Sequence, residues 1–445
     1  VGEGILTEPD TTGGHDGFRR VGEVLSCRGV SLEALADEFG TPLYVYDVEG
    51  VERRIDQFQE AFSGVPFLLA YAVKANGSLA LLNRIAARGA GADIVSLGEL
   101  ERSLRAGVPP GKIVFAGVGK REDDLVAGLK AGILAFHVES RGELELLAGI
   151  AERLGVTAPV SIRINPDVES PTPHEYTRTG HATSKFGVPL GEAEALYLAH
   201  AEDPRLRFLG ISVHIGSQIV DPQPYLNTLE TVLGAVDRMG ERGVALEYLD
   251  LGGGFGVGYD GEPGFDLEAL GREVVSRLAP RGLRLILEPG RAITGESGML
   301  LTRVLYRKAA GGKTFVITDG GMTELLRPSH YGGFHRITPV RSRPAAPETV
   351  VDIVGPICET GDFLALDRPI ALPEPGDLLA VETAGAYGFT MSSNYNARRR
   401  PAEVMVEGGR AVLIRRRETV DDLLRGEVIP PRPSHPASAE PGNDR

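Results

Sequence analysis

The chain has 445 residues, 42% of them hydrophobic and 24% charged, enough for two domains with a sizeable core. A formal net charge of −14 argues against nonspecific binding to nucleic acid, and no basic stretch interleaved with aromatics offsets it. No apolar run approaches the ~20 residues of a membrane span, no signal-peptide pattern opens the sequence, and the distant Cys27 and Cys358 make no disulfide framework, so the cytoplasm is the expected compartment.

Residues 1–16, rich in Gly, Asp, Glu and Thr without periodicity, read as a disordered tail. Ser31–Phe39 carries a short helix pattern and Leu43–Tyr46 a strand. Next comes Phe67–Val73, an apolar run closed by Lys74. Seven similar runs succeed it at near-regular spacing: Gly91–Ser96, Ile113–Gly117, Leu134–Ser140, Val160–Asp167, Phe208–Ser217, Ala245–Phe255 and Leu283–Arg291. The stretches between them read as amphipathic helices. Eight strands alternating with helices predict an α/β fold, a (β/α)8 TIM barrel, with Leu43–Tyr46 leading toward it. The interval from Val160 to Phe208 is the longest and leaves a loop over the barrel mouth that holds His174, Tyr176, Arg178, Thr179 and Lys185–Gly187. Long loops in compact domains are usually functional.

After Arg291 the pattern changes to strands joined by turns: Thr314–Thr318, Thr349–Val354, Leu378–Thr383, and a hairpin pairing Glu403–Val406 with Ala411–Arg415 through Gly408 and Gly409. The expected organisation is a tail over 1–16, a segment over 17–43 packing with the second domain, a barrel over 44–295, a mainly β, sandwich- or barrel-like domain over 296–425, and a disordered tail over 426–445. The triplets Arg398–Arg400 and Arg415–Arg417 read as solvated faces.

Such barrels carry their chemistry at the C-terminal strand ends, and the unusual residues of this chain sit there. Lys74 ends the first strand. An amine there is nucleophilic if a dry, partly cationic setting keeps it deprotonated near neutrality. A rim lysine opposite an anion-binding glycine turn and an acid points to a Schiff base with a phosphorylated aldehyde, and pyridoxal 5'-phosphate is the obvious candidate. Gly252, Gly253 and Gly254 come after strand seven, where barrels bind phosphate, although glycine clusters also serve plain turns. No Gly-Lys-Ser/Thr comes after them, which excludes a P-loop.

Glu288, in Glu-Pro-Gly-Arg291, either keeps a pyridine nitrogen protonated or pairs as a rim acid with Arg291. His214 either stacks on the cofactor ring or fills the core; Ser217 could donate to the phosphate. Cys358 and Glu359 stand between glycine and proline turns, which fits an exposed thiol acid better than core packing. Tyr387 is placed to donate to phosphate or substrate. Arg327 and Tyr331 could bind a carboxylate, the arginine in bidentate fashion. No metal is expected.

Together these segments resemble the fold-type III pyridoxal-phosphate decarboxylases with their alanine-racemase-like barrel, and among them the diaminopimelate decarboxylases. The resemblance runs from about Gly17 to Glu427 and rests on Tyr71–Asn76, His214–Gln218, Gly252–Gly256, Glu288–Arg291, Gly355–Asp362 and Ser392–Asn396. It implies that Lys74 binds the cofactor, His214 stacks on the ring and Glu288 meets the ring nitrogen. Phosphate would lie against Gly252, Gly253, Gly254, Gly290, Arg291, Ser217 and Tyr387. Substrate contacts would come from Arg291, Arg327, Tyr331, Glu359 and Tyr387.

The resemblance also implies a homodimer in which the neighbouring subunit supplies Cys358 and Glu359; Thr360 stands where the family often has serine. The implied reaction is decarboxylation of meso-2,6-diaminopimelate at its D-centre, giving L-lysine and CO2, the last step of lysine biosynthesis. Arginines rather than acids for the distal end favour this over a simple diamine precursor. A related decarboxylase acting on another carboxylated diamine or a carrier-bound amino acid is the nearest alternative. A racemase would need bases on both faces of the α-carbon, and a non-catalytic homologue would have no use for both Lys74 and Cys358.

Overall fold

The computed structural model describes residues 17–167 and 184–431. The tail expected over 1–16, most of that over 426–445, and the loop residues His174, Tyr176, Arg178 and Thr179 lie outside the described residues.

Eight parallel strands close on themselves: Phe67–Ala72, Gly91–Ile94, Ile113–Phe115, Ala135–Val138, Ala158–Asn165, Leu206–Val213, Tyr248–Asp250 and Arg284–Leu287. Leu285 pairs with Phe67, so the eighth strand completes the ring. Every expected run overlaps its strand. The runs overshoot at their C-terminal ends because segments such as His214–Ser217 and Leu251–Phe255 leave the ladder and turn to build the mouth. The helices between strands obey local signals. In Arg141–Leu154, Ser140 accepts from the Glu143 N–H, and Gly155 ends the helix in the left-handed region (φ 65°).

Alternation along the strands sends one set of side chains to the helices and the other into the barrel. At one end the inward set is an apolar plug of Leu68, Ala70, Val114, Ala135, Leu209 and Ile286, joined by Tyr248. Gly210 makes room for that tyrosine, since a Cβ there would lie 2.3 Å from its ring. Two residues further along the strands the same face becomes polar, with Asp93, His137, Ser212, Asp250 and Glu288 all buried. The barrel is thus apolar below and ionisable toward its C-terminal mouth.

The second domain is built on Gly298–Ala310, a 13-residue strand that pairs with Lys313–Thr318, with Leu378–Val381 and with Leu43–Asp47. The division expected at residue 43/44 therefore needs correction. Leu43–Asp47 lies between Gly298–Leu301 and Ala402–Val406 in the β domain's own sheet. All five of its residues are buried, and Tyr44 and Tyr46 donate to the Glu324 carbonyl (2.8 Å) and the Glu403 carboxylate (2.8 Å). The expected hairpin is present as Ala402–Glu407 with Arg410–Arg415. At the other end of the chain, Phe18–Ser31 forms a small three-stranded meander that is tied to the β domain by Leu25 N–H to the Val340 carbonyl (2.8 Å).

The arginine triplets are not merely solvated faces. Arg400 pairs with Glu418, Arg415 with Glu403 and Arg416 with Asp422. Arg398 donates to the Asp319 carbonyl (2.6 Å) and Arg417 to that of Pro42 (2.6 Å). Carboxylates 6 to 18 residues away and carbonyls far more distant supply these partners. No helix among the described residues is long and apolar enough to cross a membrane.

Candidate active site

A cavity of about 640 Å³ opens at the C-terminal mouth of the barrel, beneath the β domain. Of the residues singled out from the sequence, Lys74, His214, Ser217, Gly254, Glu288, Gly290, Arg291, Arg327, Tyr331 and Tyr387 line it. Gly252, Gly253, Cys358 and Glu359 do not.

Lys74 sits in a single 3-10 turn directly after the first strand, and its Nζ lies 2.6 Å from Asp93 Oδ2. The cationic setting expected for this amine is absent. Burial alone would lower the lysine's pKa, but the charges of Asp93, Tyr387 and Glu288 outweigh it and hold the ammonium above its ordinary value. Burial, with Glu288 adding, pushes the Asp93 carboxyl up to about 7 against the pull of Lys74. Deeper in the barrel, His137 stands between two acids. Its Nδ1 is 3.4 Å from Glu288 Oε1 and its Nε2 3.7 Å from Asp250 Oδ2. Burial and the neighbouring Glu288 push Asp250 well up, toward the protonated form. Burial acts on Glu288 in the same sense, but His137, Lys74 and His214 prevail and hold it ionised. Glu288 Oε1 is buried and has no hydrogen-bond partner among the described residues.

His214 accepts the Gly253 N–H at Nδ1 (3.2 Å), so a neutral ring carries its proton on Nε2. Burial first, then Arg163 and Lys74, lower its pKa to about 3. The Gly252 N–H goes to Asp250 Oδ1 (2.7 Å). Two of the three glycine amides expected to meet an anion are therefore taken up inside the protein. Gly254 alone reaches the cavity, at φ 98°, where a Cβ would lie 2.2 Å from the Gly216 carbonyl oxygen.

Across the cavity the charge reverses. Arg291 donates to Tyr259 Oη (2.6 Å) and Ser217 Oγ (3.3 Å), and its guanidinium lies 4.9 Å from the Tyr387 ring centre. Arg327 lies 4.6 Å from the Tyr259 ring centre, with Nη1 2.6 Å from His335 Nε2. Neither arginine forms a salt bridge among the described residues. Tyr387 comes from the β domain with a left-handed backbone (φ 56°), held by its N–H on the Ala75 carbonyl (2.8 Å), next to Lys74.

The sequence reading missed Asp93, His137, Asp250, Tyr259 and His335. The first three had a signal: an ionisable residue inside a strand of three or four buried residues is either paired or functional. Tyr259 and His335 lie in irregular segments and carried none.

The cavity fits pyridoxal phosphate. Glu288, held ionised and lining the cavity, suits a protonated ring nitrogen, and neutral His214 offers a ring face. Arg291 with Ser217 and the bare Gly254 and Gly290 suit a phosphate. A second cleft of about 680 Å³ reaches Lys74 from the other side, past Arg102, Phe389 and Arg400.

Comparison with known proteins gives a consistent result. Residues 48–295 match the family model described as pyridoxal-dependent decarboxylase, pyridoxal binding domain. The chain is 50% identical over 409 residues to a diaminopimelate decarboxylase of Pseudomonas aeruginosa, covering 92% of this chain and 98% of that one. Among solved structures it is similar to diaminopimelate decarboxylase from Helicobacter pylori complexed with L-lysine, at TM-score 0.85 and 39% identity over 88% of this chain and 98% of that one. The M. jannaschii diaminopimelate decarboxylase gives TM-score 0.88 and 35% identity over 94% and 98%.

Proposed function

The chain belongs to the pyridoxal-dependent decarboxylases, in the diaminopimelate decarboxylase family, and on that premise we propose that it converts meso-2,6-diaminopimelate to L-lysine and CO2. The observation that carries the reading is the polarity of the cavity: Lys74 beside carboxylates on one side, and on the other two arginines that form no salt bridge among the described residues.

When bound, pyridoxal phosphate supplies an electron sink for the pair left on the α-carbon as CO2 departs. Lys74 is the amine that would hold the cofactor, and Asp93, 2.6 Å away, orients it. Glu288, kept ionised by His137, holds a proton on the ring nitrogen. His214 covers one ring face, while Ser217, Gly254, Gly290, Arg291 and Tyr387 receive the phosphate. Arg327 and Tyr331 receive the distal carboxylate of the substrate.

The acid that delivers a proton to the α-carbon is Cys358, and Glu359 receives the distal ammonium; both come from the partner subunit of a homodimer. In support, both residues are exposed and lie outside the cavity of their own chain, while the second cleft leaves a route to Lys74. The test is to incubate the enzyme and pyridoxal phosphate with meso-diaminopimelate and to measure L-lysine and CO2. Equimolar release of both is expected. Turnover of another carboxylated diamine with none of diaminopimelate would overturn the substrate assignment.

A further inference from the structure

His335 belongs to no expected motif, yet it is fully buried and touches the arginine at the recognition end of the cavity. Its Nδ1 lies 2.8 Å from the Glu382 carbonyl oxygen, which can only accept. The ring proton is therefore on Nδ1, leaving the Nε2 lone pair facing Arg327 Nη1 at 2.6 Å. A protonated imidazole would place two donors against each other at that distance. Burial, then Arg327 itself, hold the imidazole pKa well below its usual value. The ring has little freedom to turn: it packs edge-on against Tyr259 (5.3 Å between centres, 82°), and Arg368 fixes its backbone carbonyl (2.8 Å).

We propose that His335 is a specificity-determining positioning residue, a neutral acceptor that aims the Arg327 guanidinium at the distal carboxylate of the substrate without cancelling its charge. A carboxylate in this place would hold the arginine as firmly but neutralise it, leaving little attraction for a second anion. An apolar side chain would leave the charge intact but let the guanidinium swing. Only a neutral acceptor satisfies both needs. The inference rests on the assignment of Arg327 to the distal carboxylate.

The experiment compares His335→Gln, His335→Leu and His335→Glu in the holoenzyme. Gln keeps a neutral acceptor at similar reach, Leu removes it, and Glu replaces it with a charged one. Two quantities are read: KM and kcat for meso-diaminopimelate, and the dissociation constant of L-lysine from the spectral change of bound pyridoxal phosphate. L-lysine keeps the distal carboxylate and needs no turnover. His335→Gln is expected within about threefold of wild type in both constants, and His335→Leu and His335→Glu raised about tenfold or more, with kcat within about threefold. Equal effects of Gln and Leu, wild-type binding by Glu, or a loss confined to kcat would overturn the proposal. Wild-type enzyme that leaves meso-diaminopimelate intact defeats the substrate assignment instead, while the order of the L-lysine constants still judges His335.

Discussion

On one side of the cavity Lys74 meets Asp93 at 2.6 Å, and His137 stands between Asp250 and Glu288. On the other side Arg291 and Arg327 meet a phenol, a serine hydroxyl, two aromatic faces and a neutral imidazole. The two sides face different demands. Where protons and electrons are proposed to move, Lys74 is paired with Asp93 and Glu288 lies against His137. Where an anion must be recognised, balancing the cation in advance would remove the attraction. Arg327 is buried and Arg291 partly so, both held by groups that orient without neutralising, which leaves the compensating charge to the proposed ligand.

The sharpest way to break this contrast is Lys74→Ala. It removes the amine proposed to hold the cofactor and leaves Asp93 without its ion-pair partner. Activity should fall by about 10³-fold or more, with loss of visible absorption and an unchanged far-ultraviolet circular dichroism spectrum. Residual turnover above a tenth of wild type would remove Lys74 from the chemistry. Cys358→Ala tests whether the reacting side is complete within one chain. It should keep the cofactor spectrum and lose about 10²-fold in kcat. In the proposed homodimer, co-expression with Lys74→Ala should recover about a quarter of wild-type activity, because mixed dimers would carry one intact site. Full activity of Cys358→Ala alone would exclude the thiol.

Arg327→Ala addresses the recognition side. Losing a hydrogen-bonded charge pair to the substrate is worth roughly 1.5–3 kcal/mol, so KM for meso-diaminopimelate should rise about ten- to a hundredfold. Because that contact is the same before and during reaction, kcat should change much less. An unchanged KM would move distal recognition to another residue.

These two sides were not equally legible in the sequence. Lys74, Glu288 and Arg291 stand at the ends of apolar runs, where the alternating pattern itself marks the barrel mouth. Asp93 and His137 were legible in principle, since period-two alternation carries both onto the inward face, but the runs containing them read as simply apolar. Leu43–Tyr46 reads as a strand leading toward the barrel, yet it belongs to the β domain's sheet. Strand propensity is local, whereas its partners are about 250 and 360 residues away. Tyr259 and His335 act through loops whose course is fixed only by tertiary contacts. The glycine turn was over-read, because composition cannot say that Asp250 and His214 already accept two of its amides.

The smallest effect expected is one of pH on stability, and it also divides the two sides. His214 has its pKa lowered from 6.5 to about 3, chiefly by burial. Below pH 6.5 the unfolded chain takes up a proton there that the folded protein refuses, so stability falls as pH falls from 6.5 toward 3. Asp93 behaves oppositely. With its carboxyl raised to about 7, its contribution is greatest below the ordinary aspartate range and is lost as pH rises to about 7. Replacing His214 by phenylalanine keeps a flat ring and removes the titration. Between pH 6.5 and 5.5 the wild-type protein should lose about 1 kcal/mol more stability than His214→Phe, measured by denaturant unfolding of the cofactor-free protein. Equal losses would mean that His214 accepts a proton in the folded state. It would then be a cation, and the neutral ring face required beside the cofactor would have to come from another residue.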